Sequence, residues 1–226
     1  MKEQEIKKFI CEIGKRVWER NMVAANDGNF SVKLENGDIL CTPTGVSKGF
    51  MTPDMICKIN SSGELLESDK IHKPSSEIKM HLRVYKRRSD VKAVVHAHPM
   101  YATSHAISGV PLNKQIIPES TILLGEVPLA KYGLPSTNEI PNSIEPFLDD
   151  YDAVLLENHG ALTWGTSLND AYFKLEGLEF YAQLNFVSSI LGNGEVNELS
   201  NYEVNRLMEI RTQMNILGRH PFIKNK

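Results

Sequence analysis

Two imidazoles one residue apart, His96 and His98 in the run Val94-Val95-His96-Ala97-His98-Pro99, open the chemistry of this 226-residue sequence. Side chains alternate faces along a β-strand, so a strand through this run projects both histidines from one side, close enough to share a metal ion. Val91, Val94 and Val95 favour a strand, and Pro99, which has no N–H for a sheet ladder, ends it with His98 at the mouth. The pair fits equally a half-buried strand whose polar residues make ordinary hydrogen bonds. His159, in Glu157-Asn158-His159-Gly160, sits at a glycine-flanked tip from which its ring can turn toward the same ion, although a lone histidine there also suits a plain turn.

Three further stretches could handle an anion or a proton. Thr42-Pro43-Thr44-Gly45 is a loop of hydroxyls and backbone donors that can approach an anion closely, and it is also a turn. Ser75 and Ser76 stand just before an apolar helical pattern; as a helix cap they present hydroxyls and unpaired N–H groups together, which suits a phosphate. Glu77 follows them. An acid in a first helical turn is favoured by the helix dipole whatever else it does.

The elements that must position these groups are legible from periodicity. Ile6, Phe9, Ile10, Ile13 and Val17 predict an amphipathic helix from about Lys2 to Asn21, with Trp18 anchoring its end. Asn26-Asp27-Gly28 turns into a strand, and Asn36-Gly37 predicts a hairpin leading to an antiparallel strand at Ile39-Leu40-Cys41. Thr52-Pro53 starts a short helical turn before a strand at Cys57–Asn60. Ile78, Met80, His81, Leu82, Val84 and Tyr85 predict a helix capped at Ser75 or Ser76. His81, four residues after Glu77, can bond its carboxylate or join the site; otherwise His72, His81, His105 and His220 read as structural or solvent-facing. A helix is expected at Tyr101–Ile107, short strands and loops between Val110 and Pro141, and helix again at Ser143–Leu148. Ala153–Leu156 reads as a buried strand returning through Ala161–Gly165. Capping boxes at Ser167-Leu168-Asn169-Asp170 and Ser200-Asn201-Tyr202-Glu203 open a long helix and a last one that stops near Gly218.

Composition excludes several classes. A net charge of -3 without a lysine or arginine cluster gives no bulk attraction to nucleic acid, and no apolar run is long enough to span a bilayer. Cys11, Cys41 and Cys57 are odd in number and widely spaced, which predicts reduced thiols in place of disulfides or a thiolate zinc site. Neither a G-x-G-x-x-G nor a P-loop pattern is present. The expectation is one cytoplasmic domain over residues 1–226.

In order and spacing, Gly28-Asn29-Phe30-Ser31, Thr42-Pro43-Thr44-Gly45, Pro74-Ser75-Ser76-Glu77, Val94-Val95-His96-Ala97-His98 and Asn158-His159-Gly160 resemble the class II aldolase/adducin family. The resemblance covers nearly the whole chain. It implies a three-layer α/β/α fold with a largely antiparallel sheet, and a homotetramer with active sites at subunit interfaces. It implies that His96, His98 and His159 bind a divalent metal, usually Zn2+ with Mn2+ or Co2+ as alternatives, as three imidazoles with an open position physically can. Asn29, Thr44, Gly45, Ser75 and Ser76 would hold the phosphate of a small phosphorylated sugar, and Glu77 would be the acid/base. The implied reaction is reversible cleavage of a ketose 1-phosphate such as L-fuculose 1-phosphate, through an enediolate, into dihydroxyacetone phosphate and an aldehyde. Epimerase, dehydratase and decarboxylase relatives share the metal-stabilised enolate, and an adducin-like binding domain shares only the fold. Two family tyrosines are unmatched. The C-terminal one falls at Asn215-Ile216-Leu217-Gly218, with His220 or Tyr202 as available substitutes, and the other falls around Gln115–Glu119.

Overall fold

Alternating side chains give each central strand two buried faces, and both are covered by helices. The structure, a computed structural model, describes residues 2–223. In chain order the elements are α1 (Glu3–Glu19), β1 (Asn29–Lys33), β2 (Ile39–Cys41), β3 (Cys57–Ile59), β4 (Leu65–Glu67), α2 (Ile78–Arg87), β5 (Ala93–Ala97), α3 (Met100–Ile107), α4 (Pro118–Leu123), β6 (Leu129–Ala130), α5 (Glu139–Ile144), β7 (Ala153–Leu156), β8 (Gly160–Gly165), α6 (Leu168–Leu191) and α7 (Asn201–Gln213). The strands form one sheet in the order β4-β3-β2-β1-β5-β8-β7-β6. All neighbouring pairs are antiparallel except β6 with β7.

Phe30 and Val32 of β1, Val95 of β5 and Leu155 of β7 face one core with Ile10 and Ile13 of α1, Ala102 of α3 and Leu175 of α6. Residues of opposite parity, Val94, Val154, Leu162 and Trp164, face a second core with Met80 and Val84 of α2 and Ile140 and Ile144 of α5. The result is the expected three-layer α/β/α arrangement on a largely antiparallel sheet. Its parity has a chemical consequence. His96 shares the face of Val94, so it points toward the α2 side of the sheet, where His81 of α2 bonds Asn29 and Ser31 of β1.

Several local expectations shift. Ser75 and Ser76 do not cap α2: the helix begins at Ile78 with Glu77 at its N-cap position, and Ser75 Oγ accepts from the Glu77 N–H at 3.3 Å. Glu77 therefore stands at the helix entrance and not in its first turn, with its side chain free to face the sheet. The proline-rich stretch after Val110 includes a helix, α4, because Pro118 occupies a first-turn position where a missing N–H costs nothing. The helix expected at Ser143 begins earlier, at Glu139. α7 ends at Gln213, short of Gly218, while its Ser200/Glu203 capping box forms as read. Trp18 does anchor the end of α1, against Gly49 and the ring of Phe50. The three cysteines are free thiols.

Candidate metal centre and phosphate pocket

The site lies at one end of the sheet, where β1 begins, β5 ends and β7 turns into β8. Asn29 and His96 are register partners on β1 and β5, and Ala97 pairs with Ala161, which brings the β7–β8 turn carrying His159 beside His98. Gly160 makes that approach possible: a Cβ there would lie 2.6 Å from both the Ala97 carbonyl oxygen and His98 Cδ2. Asn158 takes the left-handed conformation, at φ 54°, to complete the turn.

His96, His98 and His159 each bring one ring nitrogen within 4.8 Å of the other two. Their rings meet edge to face, with centroids 4.7 to 5.1 Å apart. His96 Nδ1 is 2.9 Å from the Ala161 carbonyl oxygen, which can only accept, so Nδ1 carries the proton and Nε2 is the free lone pair. That Nε2 lies 3.0 Å from His98 Nε2, near the about 3.3 Å that separates two nitrogens on a tetrahedral ion. His98 Nδ1 is 3.4 Å from Asp27 Oδ2, an outer carboxylate that would leave His98 Nε2 as the donor. Burial holds all three imidazoles below the ordinary histidine range, His96 well below that range and His159 at about 4, so all three are neutral at neutral pH and able to offer a lone pair to an ion.

Glu77 closes the cluster. Its Oε1 is 3.4 Å from His159 Nε2 and its Oε2 is 3.5 Å from His96 Nε2. Oε2 accepts from Asn29 Nδ2 at 3.0 Å, whereas Oε1 and His159 Nδ1 are buried without a hydrogen-bond partner. Facing lone pairs and orphaned polar atoms among three neutral imidazoles and a carboxylate are the donor set a divalent cation satisfies. Burial raises the Glu77 pKa; the Asn29 N–H offsets this in part and Asp27 adds to it.

Beside the cluster opens a cavity of about 220 Å³ lined by Asn29, Thr44, Gly45, Ser75, Ser76 and Glu77 together with His98 and His159. Two loops form its wall. Thr44 N–H donates to the Lys73 carbonyl and Ser75 N–H to the Thr42 carbonyl, which clips residues 42–45 to 73–76, and Thr42 Oγ1 accepts from the Phe30 N–H to bind both to β1. Every site residue anticipated from the sequence is thus brought to one place. Neither suggested stand-in for the missing tyrosine is there: His220 donates from Nε2 to the Thr121 carbonyl, and Tyr202 is 70% exposed on α7.

The cavity also contains residues that sequence reasoning missed, Asn26, Asp27, Pro135 and Ser136, and Gly28 of the stretch Gly28-Asn29-Phe30-Ser31, to which it had given no role of its own. Asn26 and Asp27 had a turn signal and no more. A Cβ on Gly28 would lie 2.9 Å from the His96 carbonyl oxygen, and its φ of 77° favours glycine, so the turn is built around β5. Lys48, almost fully buried, donates to the Asn26 and Val46 carbonyls at 2.9 and 2.7 Å and so ties the two sides of the pocket together. Burial lowers its pKa to about 8.

The family profile described as "Class II Aldolase and Adducin N-terminal domain" matches residues 8–186. The chain belongs to the class II aldolase/adducin family. It is 32% identical over 182 residues to the L-fuculose phosphate aldolase of Methanococcus maripaludis, covering 80% of this chain and 95% of that one. It is 33% identical over 209 residues to the 3-oxo-tetronate 4-phosphate decarboxylase of Escherichia coli O6:H1, covering 91% and 96%. A solved L-fuculose 1-phosphate aldolase superposes with a TM-score of 0.82 at 28% identity, over 92% of this chain and 96% of the other. Class II aldolase relatives therefore share both its sequence pattern and its fold.

Proposed function

We propose that this chain is a metal-dependent aldolase that reversibly cleaves a ketose 1-phosphate such as L-fuculose 1-phosphate into dihydroxyacetone phosphate and an aldehyde. The observation that carries this reading is the meeting of three neutral imidazoles and a buried carboxylate beside a cradle of uncharged donors. His96, His98 and His159 hold the ion, with Zn2+ the natural match for three imidazoles and Mn2+ or Co2+ as alternatives. When bound, the ion supplies positive charge that stabilises an enediolate.

The chain's own groups do the rest. Asn29, Ser75 and Ser76 side chains and the Thr44–Gly45 loop bind the phosphate through N–H and O–H donors; no lysine or arginine side chain lines this cavity among the described residues. Cleavage of the C3–C4 bond leaves its electron pair on the three-carbon fragment as an enediolate. The Glu77 carboxyl proton passes to that fragment's C3, and in synthesis the Glu77 carboxylate takes one C3 proton. Burial shifts Glu77 toward its protonated form, which favours this proton exchange. The reading extends to a single domain working as a cytoplasmic homotetramer with sites at subunit interfaces, supported by Phe173, Phe180, Val187 and Ile190, which lie exposed along α6.

A second reading is favoured by two observations. The decarboxylase relative matches more of this chain than the aldolase relative does, and no tyrosine lines the cavity among the described residues. Loss of carbon dioxide from a 3-oxo-tetronate 4-phosphate leaves the same three-carbon enediolate but no aldehyde oxygen to serve. Glu77 then has the same duty at the same carbon. The discriminating experiment offers metal-loaded protein L-fuculose 1-phosphate and, separately, 3-oxo-tetronate 4-phosphate, with products followed by NMR. Dihydroxyacetone phosphate with an aldehyde supports the aldolase; dihydroxyacetone phosphate with carbon dioxide from the second substrate alone replaces it with the decarboxylase. No product from either rejects both.

A further inference from the structure

His81 lies one turn after Glu77 yet makes no hydrogen bond to it; its two ring nitrogens go to Asn29 and Ser31 instead. The orientation of the Asn29 amide follows from chemistry. A carboxylate oxygen 3.0 Å away requires an N–H, so Asn29 Nδ2 faces Glu77 and Oδ1 faces His81 Nε2 at 2.6 Å. A carbonyl oxygen only accepts, so His81 carries its proton on Nε2 and its Nδ1 accepts from Ser31 Oγ–H at 2.7 Å. Tyr85 O–H, which donates to the Ser31 carbonyl oxygen at 3.0 Å, lies 2.8 Å from Ser31 Oγ and closes the far end of the buried group. Each donor in the series Ser31, His81, Asn29 points toward Glu77.

We propose that His81 is a positioning residue that locks the Asn29 amide with its N–H groups toward Glu77 and the anion cavity. With the other His81 tautomer, Nε2 would demand an N–H from Asn29, and the amide would turn its carbonyl oxygen onto the carboxylate and the phosphate. The buried series of hydrogen bonds prevents that flip. His81 is completely excluded from solvent and Asn29 is 4% exposed, so water cannot substitute for either partner. The inference rests on the reading of Glu77 as acid/base and Asn29 as a phosphate donor.

The test reads the tautomer first, in unmodified protein labelled with 15N-histidine. Long-range 1H–15N correlations are expected to show His81 protonated at Nε2 alone; protonation at Nδ1, or a mixture, overturns the proposal. Catalysis is read second, as proton exchange into dihydroxyacetone phosphate in heavy water, with folding of each variant checked by circular dichroism. His81→Phe, which keeps the bulk and removes both hydrogen bonds, is expected to lower the exchange rate about 10- to 100-fold, as loss of an outer partner typically does. His81→Gln, whose amide N–H can reach Asn29 Oδ1, is expected to recover most of that loss. In an Asn29→Ala background His81→Phe is expected to cost no more than about twofold. Equal losses in both backgrounds, or no recovery with glutamine, would show that His81 acts by packing and overturn the proposal. Wild-type protein without exchange would reject the function while the tautomer measurement still judges the role of His81.

Discussion

At the scale of single residues, the three imidazoles differ in how they are held, and this sets what each substitution does. His96 is fixed by the Ala161 carbonyl and His98 by Asp27, while His159 stands on a turn with one ring nitrogen unpartnered. His159→Ala therefore removes a donor without opening a hole in the sheet. Asp27→Asn, which weakens the support of His98 without removing an imidazole, is expected to reduce metal affinity about 10- to 100-fold, and His159→Ala by more than that. Competition titration with a chromophoric chelator measures both; equal affinity in all three proteins would remove these residues from the metal site. The histidine pair was legible because strand alternation alone puts His96 and His98 on one side. Asp27 was not, since a carboxylate in a turn rich in asparagine and glycine has a sufficient local explanation, and only folding shows that it faces a ring 71 residues later. His81 was visible as a neighbour of Glu77, but its route through Asn29 required the β1 partner to be seen.

At the scale of elements, the site depends on close backbone approach between β5 and the β7–β8 turn. Gly160→Ala places a methyl group against the Ala97 carbonyl and the His98 ring, where strand backbone and a packed ring cannot both yield. The expected cost is about 1–3 kcal/mol of stability, typical of overpacking, together with weakened metal binding. Urea unfolding compares the two proteins; unchanged stability would mean that the turn moves freely away from β5. Hairpin and capping signals marked β1, β2 and α7 well, because Asn36-Gly37 and Ser200-Asn201-Tyr202-Glu203 are local devices. The start of α2 was misplaced for an equally physical reason. Ser75 looks like a cap from its chemistry, but its N–H is engaged by the Thr42 carbonyl in a loop pairing that no local signal records, and the helix begins after Glu77.

At the scale of the whole molecule, hairpin signals supported an antiparallel sheet and the family resemblance supplied its α/β/α layers, whereas the strand order that joins β1, β5 and β8 at one end came from tertiary pairing. Folding buries histidines in both parts of this framework. Burial pushes His81 to about 3 and His220 to about 4, against about 6.5 in an unfolded chain. Between these values the unfolded chain binds protons that the folded chain does not. The stability these groups permit is complete above about pH 6.5 and is lost as pH falls, by up to about 1.4 kcal/mol per pH unit for each histidine. Metal-free protein is thus expected to show a lower unfolding free energy at pH 5 than at pH 7 in urea titrations, and equal values would contradict the neutral burial of these rings. The central claim is that Glu77, beside an ion held by three histidines, moves a proton at the carbon of an enediolate. Proton exchange into dihydroxyacetone phosphate in heavy water tests it most directly, with metal-loaded, chelated and Glu77→Gln proteins followed by NMR. The account predicts stereospecific exchange at C3 that chelation abolishes and Glu77→Gln slows about 100- to 10,000-fold, the usual weight of a positioned acid/base. Exchange that persists in Glu77→Gln, or none in the metal-loaded wild type, would contradict it.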